Sequence, residues 1–132
     1  MTIDHLGIAV RSIDASLQFW RDQLGLAVLH RETVDAEKVH VAMLPAAPSR
    51  IELLEASEPD SALARFIEKR GEGLHHVALR TPDFHGILER LRKAGARLLN
   101  DPRPGAGGHI YVFLHPASSG GVLLELIEEK HE

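Results

Sequence analysis

The 132-residue chain contains no cysteine. Disulfides, thiolate nucleophiles and cysteine-ligated metals are therefore excluded, and a metal could sit only on nitrogen and oxygen donors. Long apolar runs are missing too: 44% of the residues are hydrophobic, but no run approaches the roughly 20 needed to cross a bilayer. Nor does positive charge dominate. Fifteen Lys and Arg against 19 Asp and Glu give a formal charge of −4, which supplies no general field for gathering nucleic acid. The opening residues, "MTIDHLGIAVRS", begin directly with an alternating strand and lack the basic, apolar and small-residue succession of a secretory leader. The expectation is a cytoplasmic protein, neither membrane-bound nor nucleic-acid-binding, with small-molecule chemistry. Its length suits one compact domain, or two small halves sharing a core.

What is present is a pattern stated twice. "IDHLGIAV" from residue 3 and "LHHVALR" from residue 74 each put a histidine third in a short alternating run, His5 and His76. A helix should follow each. Ser12 can cap a segment carrying Ile13, Leu17, Trp20 and Leu24 on one face and ending at Gly25. Asp83 can cap one carrying Phe84, Ile87, Leu88, Leu91 and Ala94 and ending at Gly95. Trp20 and Phe19 sit at core spacing and read as packing. "HVAMLP" (40–45) then matches "YVFLHP" (111–116), and "IELLE" (51–55) matches "LELIE" (124–128), the second copy carrying two extra residues in "ASSGG". Each half reads strand, helix, three strands. A unit of that size cannot cover both faces of its own sheet, whereas two packed copies can. "EASEPDS" separates the halves, a linking helix spans about 60–71, and "DPRPGAGG" reads as a flexible loop.

Strand alternation places His5, Gly7 and Ala9 on one face, and His76, Ala78 and Arg80 on one face of the equivalent strand. His75 falls on the opposite, apolar face and reads as a partly buried histidine bonded to backbone. Glu52 and Glu125 are each flanked by apolar neighbours, so each either enters an enclosed cavity, where a carboxylate needs a partner, or lies solvated on a half-exposed strand beside structural histidines. In the first case two imidazoles and two carboxylates make a symmetric site for a divalent cation. Glu55 and Glu128 fall on the other strand faces and read as solvated.

Through "IDHLGIAV", "IELLEASEPDSALARFIEKRGEGLHHVAL", "DPRPGAGGHIYVFLHP" and "SGGVLLEL", the chain resembles the vicinal oxygen chelate superfamily and, within it, the methylmalonyl-CoA epimerases. The likeness covers essentially the whole chain. It implies an α+β fold in one domain over 1–132: a first βαβββ module to about residue 56, the linking helix, and a second module over about 72–129. The two tandem modules would form a cupped, incompletely closed eight-stranded mixed sheet. It further implies metal ligands at His5, Glu52, His76 and Glu125, a divalent ion with Co²⁺ foremost and Mn²⁺, Ni²⁺ or Zn²⁺ as alternatives, a CoA thioester substrate, and a homodimer.

Four protein ligands leave two positions on an octahedral ion, which suits a substrate presenting a carboxylate and a thioester oxygen from one carbon. Glu125 and Glu52, related by the repeat, are the candidate bases on opposite sides of that carbon. Some members of the family have a glutamate in the third strand where this chain has Val41, with His40 beside it, and the usual lysine after "HP" is Ala117. Ser118, Ser119, Gly120 and Gly121 can offer backbone N–H groups to an anionic oxygen, and Val41, Met43 and Phe113 are candidate pocket walls. Arg80 shares the face of His76 and is a candidate to reach the cavity and bind substrate. Among Arg90, Arg92, Lys93, Arg97 and Arg103, candidates for CoA phosphates, the alternative is a solvated helix face. Two other activities share such a fold: a lactoylglutathione lyase-type isomerase, and a metal-free protein that sequesters small molecules.

Overall fold

The computed structural model describes residues 1–130. Among them the order of strands and α-helices is β1 (Thr2–Ala9), α1 (Ile13–Leu17), β2 (His30–Val34), β3 (Val39–Ala46), β4 (Ser49–Ala56), α2 (Ala62–Arg70), β5 (Gly73–Thr81), α3 (Phe84–Lys93), β6 (Arg103–Pro104), β7 (Ile110–Leu114) and β8 (Leu124–Glu128). The fold is thus α+β, with strand, helix and three strands repeated and α2 between. The eight strands form one mixed sheet ordered β2-β3-β4-β1-β5-β8-β7-β6. β5 and β8 run parallel, with α3, β6 and β7 between them in the chain, while β2–β3, β3–β4, β6–β7 and β7–β8 are antiparallel. Two compact bodies divide the chain, one of Leu6–His75 and one of residues 1–5 with 76–130.

In the first body β3 and β4 carry apolar residues on both faces, and each face is covered by a helix. Val41, Met43 and Leu54 pack with Ala9 against Leu63, Phe66 and Ile67, an i, i+3, i+4 stripe on α2. Ala42, Leu44 and Leu53 pack against Ile13 and Leu17 of α1. Both helices start on a serine cap: Ser12 Oγ accepts from the Ala15 amide and Ser61 Oγ from the Ala64 amide, each at 3.1 Å. The helix after Ser12 departs from the expected spacing. It becomes π-helical over Gln18–Gln23, the Leu24 amide reaching back five residues to the Phe19 carbonyl. The wider turn rotates the later residues off the buried face. Trp20 still packs on the core, while Phe19 and Leu24 are about half exposed, at 51% and 53%.

In the second body Phe84 and Leu88 of α3 cover Val112, Leu114 and Leu126. The other face of the same strands carries Ala78, Tyr111, Phe113 and Ile127. The N-cap of α3 is Asp83, but its carboxylate makes no capping bond; it lies where a Cβ on Gly86 would stand, 2.5 Å from both oxygens. Ala94, assigned to the apolar face from spacing, lies beyond the last helical residue and is exposed. "DPRPGAGG" is not a plain loop. Arg103 and Pro104 pair with Tyr111 and Ile110 as β6, and the chain turns over at Gly107 and Gly108, both with positive φ. Gly105 lets the Tyr111 ring approach, since a Cβ there would come within 2.7 Å of it.

Phe84 is 1% exposed and central to the second core. Phe84→Ala is expected to lower the unfolding free energy by about 3–5 kcal/mol, read from the midpoint of a urea titration.

Candidate metal centre

Three strands bring three donors to one point in the second body. His5 comes from β1, His76 from β5, and Glu125 from β8, where it stands opposite Ala78 in the parallel pairing with β5. The burial of β5 alternates as the sequence pattern requires, with His76 and Ala78 buried and Val77 and Leu79 partly covered on the other face. His5 and His76 are 4% and 3% exposed. The Nε2 atoms of the two histidines are 3.0 Å apart, and Glu125 Oε1 lies 3.2 Å from His5 Nε2 and 3.0 Å from His76 Nε2. The Phe113 ring, opposite Glu125 on β7, stands edge-on to His76 with centroids 5.4 Å apart.

This triangle fits a divalent cation. Two donors at right angles on an ion about 2.1 Å away are themselves about 3.0 Å apart. Orientation supports the same reading: His5 Nδ1 is 2.7 Å from Asp4 Oδ2. A carboxylate can only accept there, so Nδ1 carries the proton and a neutral His5 aims its Nε2 lone pair at the other two donors. Three lone pairs converging in a buried place must be satisfied together, by a cation or by protons on the imidazoles. Without a metal the protons do this for Glu125. Burial pushes its carboxyl upward, but hydrogen bonds and charge from His5 and His76 outweigh that and hold it at about 2.

Glu52, 4% exposed, lies on β4 opposite Met43 and is a further buried oxygen donor of the chain. Val41 is buried apolar core opposite Leu54. His40 bonds Thr33 Oγ1 at 2.8 Å. His75 is half-buried with its ring against Phe66, centroids 4.8 Å apart. Arg80 extends to Asp4 Oδ1 at 3.0 Å and to Glu129 at 3.3 Å. Asp4 was invisible to strand alternation, which assigns it the face opposite His5; the available signal was a carboxylate directly before a histidine. Glu55 and Glu128 are not simply solvated: Glu55 accepts from the Ile13 amide at 2.8 Å, completing the α1 cap, and Glu128 pairs with His85 at 3.1 Å.

In the loop before β8, Ser118 Oγ accepts from the Arg97 amide and Ser119 Oγ donates to the Val122 carbonyl. The amides of Ser118, Ser119 and Gly121 are used within the loop, on the carbonyls of His115 and Pro116. Arg103 donates to the Tyr111 hydroxyl at 3.0 Å. Arg90, Arg92, Lys93 and Arg97 are exposed, Lys93 pairing with Glu89.

The family model of the Glyoxalase/Bleomycin resistance protein/Dioxygenase superfamily matches residues 4–113. The chain belongs to that superfamily. It is 42% identical over 129 residues to the Bacillus subtilis protein named "Uncharacterized protein YqjC", covering 97% of this chain and 92% of that one. It is 34% identical over 127 residues to the ethylmalonyl-CoA/methylmalonyl-CoA epimerase of Cereibacter sphaeroides, covering 94% and 95%. Among solved structures, a variant of Streptomyces coelicolor methylmalonyl-CoA epimerase in complex with 2-nitronate-propionyl-CoA matches with a TM-score of 0.91 at 38% identity, covering 98% of this chain and 94% of that one.

Because Glu125 has a folded-state value of about 2 against an ordinary 4.5, the folded protein binds fewer protons than the unfolded chain between those values. Its stabilisation is complete above the ordinary value and is lost as pH falls through the folded one. In metal-free protein, Glu125→Gln is expected to flatten the dependence of melting temperature on pH between 4.5 and 2; an unaltered slope would show that Glu125 is not held by the imidazoles.

Proposed function

We propose that the protein is an epimerase of 2-substituted malonyl-CoA thioesters, interconverting (R)- and (S)-methylmalonyl-CoA with a divalent metal held by His5, His76, Glu125 and Glu52. The observation that carries this is the triangle of two imidazole nitrogens and one carboxylate oxygen, spaced 3.0–3.2 Å apart. Glu52 is included because it is a buried carboxylate at the repeat-equivalent position of Glu125. The named activities of the relatives set the substrate class, and the Streptomyces protein takes up a CoA thioester whose nitronate is an anion with two oxygens beside the thioester.

The chemistry is a proton removed from the α-carbon of the thioester and one returned on the opposite face. A divalent ion at the site supplies the positive charge that polarises the thioester and carboxylate oxygens, worth several kcal/mol to the anion that develops as the proton leaves. Such help is needed, because the α-proton of a thioester is only weakly acidic and a carboxylate is a weak base. With each partly released from the ion in turn, Glu125 would take the proton from one face and Glu52, already carrying a proton, would deliver it from the other; in the reverse direction they exchange roles. Val41 supplies no carboxylate in the third strand, and the repeat relation of Glu52 to Glu125 supports Glu52 as the second base. The loop at Ser118–Gly121 receives the substrate's carboxylate or thioester oxygen, the Gly120 amide being the one not engaged within it. Arg97 and Arg103, with the exposed cations of α3, meet the CoA phosphates.

The direct test follows deuterium entry from D₂O into the α-position of methylmalonyl-CoA by proton NMR, with metal-stripped protein and with protein reloaded with Co²⁺. Exchange well above the enzyme-free rate that is lost on stripping and restored on reloading is expected. No exchange in either preparation would sink the epimerase and direct the search to a glutathione hemithioacetal.

Glu125→Gln and Glu52→Gln are each expected to lower the epimerisation rate by about 10²–10⁴-fold, the range for loss of a positioned general acid or base. Full activity in Glu52→Gln would remove Glu52 from the mechanism.

A further inference from the structure

The buried carboxylate beside His5 has a structure of its own behind it. Asp4 is 6% exposed. One of its oxygens lies 2.7 Å from His5 Nδ1 and the other 3.0 Å from the Arg80 guanidinium, which in turn reaches Glu129 at 3.3 Å. The chain thus runs Glu129, Arg80, Asp4, His5, and every link sits in the second body. Both oxygens of the Asp4 carboxylate are engaged, so the side chain cannot rotate without breaking a charge-assisted bond in a poorly solvated place.

We infer that Asp4, held by Arg80, is a positioning residue that fixes the His5 imidazole with Nδ1 protonated and Nε2 presented as a metal donor. It touches neither metal nor substrate. A histidine free to rotate or to change tautomer would present an N–H to the cation in part of the population, whereas one pinned by a carboxylate offers a lone pair throughout and is the more basic for it. Arg80 engages the other carboxylate oxygen and so keeps the carboxylate turned towards the ring. The repeat makes the device specific to the first module, since His75 occupies the place equivalent to Asp4. The inference rests on the reading of His5 as a metal ligand but not on the reaction catalysed.

The test uses full-length protein and Zn²⁺ alone. Zinc affinity is measured by competition with a chromophoric chelator, and the His5 Nδ1–H resonance is followed by ¹⁵N-edited NMR in zinc-loaded protein. In the unmodified protein that proton is expected downfield and slow to exchange. Asp4→Ala should abolish the slow signal and weaken zinc binding about 10–100-fold, the usual effect of losing such a partner. Arg80→Gln, at a side chain 31% exposed and far less able to disturb folding, should shift the same resonance and weaken zinc several-fold, with Arg80→Lys restoring much of both. A slow Nδ1–H signal and zinc affinity within twofold of the original in both Asp4→Ala and Arg80→Gln would overturn the inference, as would failure of the unmodified protein to bind zinc. Absence of epimerase activity in the unmodified, metal-loaded protein, with these zinc effects intact, would overturn the reaction and leave the role of Asp4 standing.

Discussion

The structure depends on one electrostatic constraint: two imidazole nitrogens and a carboxylate oxygen lie within 3.2 Å of one another, in a place where His5 and His76 are almost wholly removed from water. Three electron-rich groups cannot be buried together unless something positive stands among them, because desolvating a carboxylate and two ring nitrogens costs several kcal/mol that only a cation or shared protons can return. Neighbouring parts of the molecule serve that constraint. Leu124 and Leu126 flank Glu125 along its strand, the Phe113 ring walls one side, and the Asp4 carboxylate fixes what His5 can offer. The stability of the metal-free protein and its readiness to take a metal are therefore two aspects of one cluster.

The repeat supplies the scaffold, and its imperfections supply the differences. Glu52 faces Met43 across its hairpin where Glu125 faces Phe113, and Leu54 faces Val41 where Ile127 faces Tyr111. Equivalent positions therefore carry carboxylates against different walls, one aliphatic and one aromatic. The same break appears at Asp4 and His75. In the first module the residue before the strand histidine is a carboxylate bonded to it, and in the second it is an imidazole set edge-on to Phe66 of α2. A doubled fold can in this way hold a symmetric donor set while tuning one histidine separately from the other.

Much of the fold could be read from the chain because its signals are local. Alternation in "LHHVALR" and "LELIE" depends only on the two-residue period of a strand, and burial in β5 follows it over residues 75–79. Ser12 and Ser61 cap helices through their own next residues. Where expectation and structure part, a non-local term intervenes. Leu24 left its expected face because the helix widened to a π-turn; "DPRPGAGG" gained a strand because β7 offered an edge to pair with; and Glu55, read as solvated, found the Ile13 amide 42 residues away.

The sequence by itself determined the donor chemistry and the architecture: with no cysteine, a metal had only imidazoles and carboxylates to bind, and the doubled strand–helix–three-strand pattern set which strands would carry them. Only the tertiary structure decided that Nε2, not Nδ1, is the face His5 presents, and that Arg80 holds Asp4. Side-chain period assigns residues to faces, but hydrogen-bond partners are chosen by distance in the folded chain, and Arg80 meets Asp4 across a separation of 76 residues that no pattern along the sequence records.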